Sequence, residues 1–155
     1  MPEVATVGVQ RTVLADGKVK IAGAGYVGLI THLKPGCLLV AERGTQTRET
    51  RAALINEVEA EMAAQSPITI FIDTRATSRM DSVGRDEWSA FGKRHRADLR
   101  RVVVLVTSKL LEMAFSVMGM FLGGGMIRVL SSERDMIREI QREVPTFRDL
   151  PTISS

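Results

Sequence analysis

A chain of 155 residues and 17.0 kDa is one domain's worth of protein, long enough to bury a core without disulfides or a structural metal. Hydrophobic residues at 45% and charged residues at 25% exclude disorder as the main state. The net charge of +3 is too mild to argue for nucleic acid. The single Cys37 excludes an internal disulfide framework and suits a reducing compartment, and with two histidines (His32 and His95) no metal site is expected. Met1–Gln10 has no basic stretch followed by an apolar one, so no signal peptide is expected. The most apolar part, Val102 to Leu130, is interrupted by Lys109, Glu112 and Arg128, and its charge-free run Met113–Ile127 is shorter than the ~20 residues of a membrane span. A cytoplasmic location without membrane contact is the expectation.

Residues 1–45 read as an antiparallel β meander. Asp16-Gly17 makes a hairpin turn between Arg11–Leu14 and Lys18–Ile21, and Pro35-Gly36 separates Tyr26–Leu33 from Cys37–Ala41. Residues 46–145 alternate helix and strand. Thr47 can cap a helix carrying Leu54, Ile55, Val58 and Met62, and Ser66-Pro67 ends it. Ile68–Ile72 is a short strand that stops at Asp73. A loop then leads to Asp81–Gly84 and a helix with Trp88 and Phe91. Val102–Val106 reads as a strand covered on both faces. A Met-rich helix from about Lys109 ends at Gly119 or at Gly123–Gly125. Met126–Leu130 is a strand, and Ser132-x-x-Asp135 opens a last helix burying Met136, Ile137, Ile140 and Val144. The expected fold is a single α/β domain over residues 1–150, with a mostly parallel or mixed central sheet and about four helices behind the meander. Residues 146–155 read as a loose tail. Ligands of such sheets bind near the C-terminal strand ends, which here carry Asp73, Thr107-Ser108 and Ser131-Ser132.

Gly23-Ala-Gly25-Tyr-Val-Gly28 matches the dinucleotide fingerprint. That chemistry needs the third glycine to open a helix and a parallel strand to follow, yet Pro35-Gly36 arrives only seven residues after Gly28. Glycines at a bulge or tight strand crossing are the competing reading. Asp73-Thr-Arg75 faintly resembles the phosphatases that use an Asp nucleophile, but Arg75 stands where the second acid belongs. Lys93-Arg94-His95-Arg96 has no interleaved aromatics and fits the cationic end of a helix. The Met-rich helix is apolar nearly all round, so it is either core or a dimer or partner surface. Met113, Val117, Met118, Met120 and Phe121 are its candidate interface residues.

From Ile68 to about Val144 the chain resembles the STAS domain, the family of SpoIIAA-like anti-anti-sigma factors and of sulfate-transporter C-terminal domains. The likeness rests on three features. One is the apolar strand ending in Asp73. The second is Met80-Asp81-Ser82-Val83-Gly84, placed at a helix start like the family's D-S-S-G loop. The third is the closing Leu111–Met120 helix, Ile127–Leu130 strand and Ser131–Ile140 helix. The resemblance implies a non-enzymatic signalling module without a cofactor. It would bind a protein partner, such as an anti-sigma kinase, through that loop and the helix after it. Phosphorylation of the loop's second Ser would switch binding off. Here that position is Val83, which cannot accept phosphate. Ser82, one residue earlier, is the remaining candidate, and constitutive binding is expected. Arg79, Asp81, Ser82, Val83, Gly84 and Arg85 are the candidate contact residues, and either Asp81 or Ser82 also suits the helix cap. Homodimerisation is allowed. The alternatives are a nucleotide- or dinucleotide-binding protein using Gly23–Gly28 and a lipid- or membrane-surface module using the Met-rich helix.

Overall fold

The computed structural model describes residues 8–77 and 80–153. Seven strands form one mixed sheet in sequence order: β1 (Val9–Val13), β2 (Val19–Gly23), β3 (Tyr26–Lys34), β4 (Cys37–Gly44), β5 (Ile68–Ala76), β6 (Leu99–Leu105) and β7 (Ile127–Leu130). The first four are antiparallel neighbours, and β4 to β7 run parallel. The crossovers are α1 (Arg48–Ala64), α2 (Ser82–Arg94) and α3 (Lys109–Leu122), and α4 (Glu133–Glu143) follows β7.

Local chemistry explains the boundaries. Gly17 and Gly36 sit at φ 89° and 77°, the left-handed conformations that tight hairpin turns require. Thr47 caps α1 in a reciprocal box with Thr50. Asp81, Ser108 and Ser132 cap the other three helices with their side-chain oxygens. Gly123, at φ 98°, follows α3, so the helix runs through Gly119 and ends at the later glycines.

Alternation along the strands divides the core in two. Leu38, Val40, Ile68, Ile70, Val102 and Val104 face one side, where they meet Leu54 and Val58 of α1, Phe91 of α2 and Phe115 of α3. Leu39, Phe71, Val103 and Leu105 face the other side and meet Met136 and Ile140 of α4. The residues after α4 have no helix or strand through Ile153, yet they are not loose in packing. Leu150 is buried on the α4 side, and Arg43 and Arg75 donate to the carbonyls of Ile153 and Pro151. β5 also runs further than its apolar stretch. Asp73 and Thr74 are buried within it, their polarity met by Arg75 and by the Leu105 carbonyl.

Candidate functional site

The N-terminus of α2 is built by the Asp81–Gly84 segment. Asp81 Oδ1 accepts from the Gly84 amide at 2.6 Å, so Asp81, not Ser82, is the cap. Gly84 is buried because the Arg51 guanidinium of α1 lies against it. A Cβ there would stand 2.9 Å from Arg51 Nη1 and 2.9 Å from Asp81 Oδ1. Arg51 is itself buried and donates to Glu87 of α2 at 2.9 Å. That ion pair fixes α2 on α1 beside the loop. Asp81 and Gly84 therefore shape the turn. Ser82, Val83 and Arg85 are exposed on it, and 49% of Val83 is open to solvent. Arg79 lies outside the described residues.

On α3 the candidate interface residues separate. Met113, Val117, Met120 and Phe121 are exposed, and Leu110 joins them at 68%. Met118 does not: it is buried against the sheet with Leu111, Phe115 and Leu122. Positions 111, 115, 118 and 122 form the inward stripe at helical spacing, which turns 110, 113, 117, 120 and 121 outward. The Lys93 ammonium sits 5.4 Å from the centre of the Phe121 ring, so the end of the basic run borders this apolar face. Within the run, Arg94 and His95 pair with Glu59, and His95 also lies near Asp98.

The two enzyme-like motifs do not assemble a site. Gly23 ends β2, Gly25 makes the turn at φ 68°, and Gly28 lies inside β3, so the third glycine opens no helix. The dinucleotide reading of Gly23–Gly28 is thereby overturned, because no helix N-terminus faces the place where a pyrophosphate would lie. Asp73 is held by the Arg75 guanidinium through both carboxylate oxygens, and Glu133 pairs with the same Arg75 from α4.

One arrangement was not visible in the sequence. Gly28 and Glu42 are partners across the β3–β4 ladder, and the Tyr26 ring folds over Gly28 so that its hydroxyl donates to Glu42 Oε1 at 2.6 Å. Gln46 donates to the same oxygen and accepts from Trp88 Nε1 at 2.9 Å. The chain Tyr26–Glu42–Gln46–Trp88 thus ties β3, β4 and α2 together. Behind it lies a cavity of about 80 Å³ between the sheet and the first three helices, walled by Val40, Val58, Ile70, Phe115 and Met118 among others. Left empty, a space of that size costs about 2 kcal/mol at ~24 cal/mol per Å³. The signal for this site is a single acidic residue continuing an otherwise apolar strand, Cys37–Glu42.

Burial pushes the Glu42 carboxyl above its ordinary value. The bonds from Tyr26 and Gln46 pull the other way, and the charge of Asp73 adds to the rise. Above the ordinary 4.5, the unfolded chain releases this proton before the folded one does. Stability conferred at this position therefore falls as pH rises, until the folded group itself ionises. Glu42→Gln keeps the acceptor for Tyr26 and Gln46. The variant is expected to gain on the wild type as pH rises above about 4.5 in urea midpoints. A pH-independent difference would contradict this. The groups facing Glu42 (Tyr26, Arg51 and Asp73) are the same in both proteins.

Comparison with solved structures settles the architecture. The chain is similar to an uncharacterised protein with a SpoIIAA-like fold from Shewanella loihica, at 19% identity and TM-score 0.54 over 74% of this chain and 93% of that one. It is also similar to an anti-sigma factor antagonist from Mycobacterium paratuberculosis, at 17% identity and TM-score 0.52 over 77% of this chain and 97% of that one. The fold is SpoIIAA-like. No protein-family model and no curated protein matches the sequence. In a SpoIIAA-like fold, the Asp81–Gly84 segment occupies the turn between β5 and α2. Among the described residues no helix is long and apolar enough to cross a membrane.

Proposed function

We propose that this SpoIIAA-like domain is a regulatory interaction module, not an enzyme, and that it acts in the cytoplasm by binding a signalling protein through Ser82, Val83, Arg85 and the exposed face of α2. The observation that carries this reading is the half-exposed Val83 on a turn made rigid by the Asp81 cap and by Arg51 beneath Gly84. The similarity to an anti-sigma factor antagonist supports a protein partner, with an anti-sigma-type kinase as the first candidate. Val83 stands where the family's phospho-acceptor would be, so binding is constitutive unless Ser82 replaces it.

The test is a pull-down from native lysate with mass spectrometry, using wild type beside Ser82→Asp. A sigma-regulatory kinase held by both baits supports constitutive binding. One held by wild type alone makes Ser82 the switch. Recovery of no regulatory protein overturns the reading. With the partner in hand, Val83→Arg is expected to weaken binding about tenfold or more in a calorimetric titration, about 1.4 kcal/mol, with the melting temperature unchanged.

The outward stripe of α3 favours a homodimer as the second contact in this reading, since five large apolar side chains on one helix face otherwise stay in water. Sedimentation of wild type beside Met120→Glu tests it. A dimer that becomes a monomer in the variant is expected, and a wild-type monomer at high concentration removes the dimer. Flotation with anionic liposomes separates the same face from a lipid-binding role.

A further inference from the structure

β7 ends the sheet, and among the described residues no strand pairs with its outer side. Val102 and Val106 donate to the carbonyls of Met126 and Leu130, while Ile127 and Val129 stand beside Val102 and Val104 in the parallel register. In that pattern the backbone of Ile127 and Val129 turns away from β6, which leaves two amides and two carbonyls on the free edge. A strand of four residues with a charge at its middle, Arg128, is one way a sheet avoids pairing with its own copies. The surroundings of Arg128 go further. On one face, Ile127 and Val129 border an open depression of about 350 Å³, lined also by Met120 and by Gly119, Gly124 and Gly125, which bring no side chains to fill it. On the other face, Arg128 and Arg142 both donate to Glu139 Oε1 and Arg101 donates to Oε2, so three guanidiniums share one buried carboxylate. Arg101 has Glu143 as a second partner. Arg128 and Arg142 have no other carboxylate among the described residues, and their side chains are 56% and 70% exposed.

We propose that the free edge of β7 docks an extended segment of a partner protein with the pattern apolar, acidic, apolar, paired to the backbone of Ile127 and Val129. Strand addition to an open edge takes its affinity from main-chain bonds and its specificity from alternate side chains. The period of two fixes that pattern here. The incoming residue beside Arg128 falls on the face of the arginines, and its two neighbours fall on the face of the depression. Excess guanidinium charge selects a carboxylate for the first position, since a guanidinium fork matches a carboxylate. The same charge excludes a second copy of this chain. A second β7 would bring its own Arg128 to the arginines, and the other free edge, β1, carries Arg11 and no acidic residue. A nucleic-acid backbone could meet the arginines, but it has no strand to offer the free amides. The site is independent of the contact proposed at α2, because it includes none of Ser82, Val83 and Arg85.

The probe is a fluorescein-labelled peptide, Val-Glu-Val-Glu-Val, titrated with the full chain and followed by anisotropy. Val-Lys-Val-Lys-Val and Gly-Glu-Gly-Glu-Gly are the controls for charge and for apolar alternation. Saturable binding of the first peptide is expected, with both controls at least about tenfold weaker. Arg128→Glu should reverse the preference between the glutamate and lysine peptides. Val129→Pro removes one outward amide and leaves the β6 ladder intact, and it should weaken binding by about tenfold or more. No saturable binding, equal binding of the glycine control, or binding unchanged in a folded Val129→Pro protein overturns the proposal. Tighter binding of oligothymidylate than of the peptide overturns it as well. Should the variants not fold, amide NMR on the wild type decides. Slowed hydrogen exchange at Ile127 and Val129 in the presence of the peptide supports the site. Shifts confined to the start of α2 or to Leu110, Met113 and Val117 on the outer face of α3 overturn it.

Discussion

Replacing Gly44 with Ala is expected to cost about 4 kcal/mol, at the upper end of what single substitutions do. Gly44 ends β4 opposite Tyr26, at φ 85°, where an L side chain is strained by about 1–2 kcal/mol on conformation alone. The larger part is steric. An added Cβ would stand 2.0 Å from the Gly25 carbonyl oxygen and 3.0 Å from its carbon. These are backbone atoms, and the same oxygen accepts from the Thr45 amide at 3.1 Å. No rotamer change relieves the clash, so the turn into β3 must move away from the chain leading into α1. For a domain of this size, a loss of about 4 kcal/mol lowers the melting temperature by roughly 8–16 °C. Scanning calorimetry of the purified variant measures it, and a shift below about 3 °C would show that the two segments can part freely.

The second large effect is expected at Gly28. Val at this position is expected to cost about 3 kcal/mol and to alter Trp88 emission. An added Cβ would lie 2.6 Å from the Tyr26 hydroxyl oxygen and 3.2 Å from two carbons of its ring. Tyr26 is 2% exposed, so the ring cannot turn out into solvent without giving up its burial. Overpacking of this kind costs about 1–3 kcal/mol. Loss of the phenol's bond to a buried carboxyl adds about 1–3 kcal/mol. Because Gln46 shares the Glu42 oxygen and holds Trp88, the disturbance should reach the indole from two strands away. Denaturant unfolding gives the stability, and the emission maximum of the folded variant gives the coupling. An unchanged maximum with full stability would mean that the Tyr26 ring has another resting place. A lone nucleotide-type motif had another physical meaning here: its glycines leave room for Thr50, for Tyr26 and for the Gly25–Gly44 approach.

Much of the architecture was legible because short-range chemistry sets it. Asp16-Gly17 and Pro35-Gly36 can do little but turn, Thr47 and Ser132 are cap residues ahead of apolar periodicity, and Val102–Val106 is too apolar for anything but an interior strand. The errors lie where partners are distant. β5 continues through Asp73 and Thr74 only because Arg75 and the β6 carbonyl of Leu105 satisfy them. Met118 could not be sorted from Met113 and Met120, since a helix apolar on every side carries no periodic signal for its inner face. Leu150 sits in a stretch with no period at all, yet it completes the core under α4. The Asp81–Gly84 segment at the start of α2 was legible as a motif, although not how its residues divide between shaping the turn and facing outward. The Tyr26–Glu42–Gln46–Trp88 chain was not legible, because four residues spread across 63 positions meet only after the sheet and α2 are in place.

The strand order has a consequence for where chemistry can occur. In a doubly wound sheet the order reverses part-way, and crossovers leaving in opposite directions part to open a crevice at the carboxyl edge, the usual seat of a substrate. The described strands of this sheet never reverse: each crossover from β4 to β7 steps the same way, and repeated right-handed steps in one direction stack α1, α2 and α3 on a single face. No topological switch point exists among them, and the carboxyl edge holds a small pocket of about 20 Å³ where β4 and β5 end, lined by Glu42, Thr74, Thr77 and Asp81 among others. Large exposed apolar side chains lie on the helical layer instead, at Val83 on α2 and at Leu110, Met113, Val117, Met120 and Phe121 on α3.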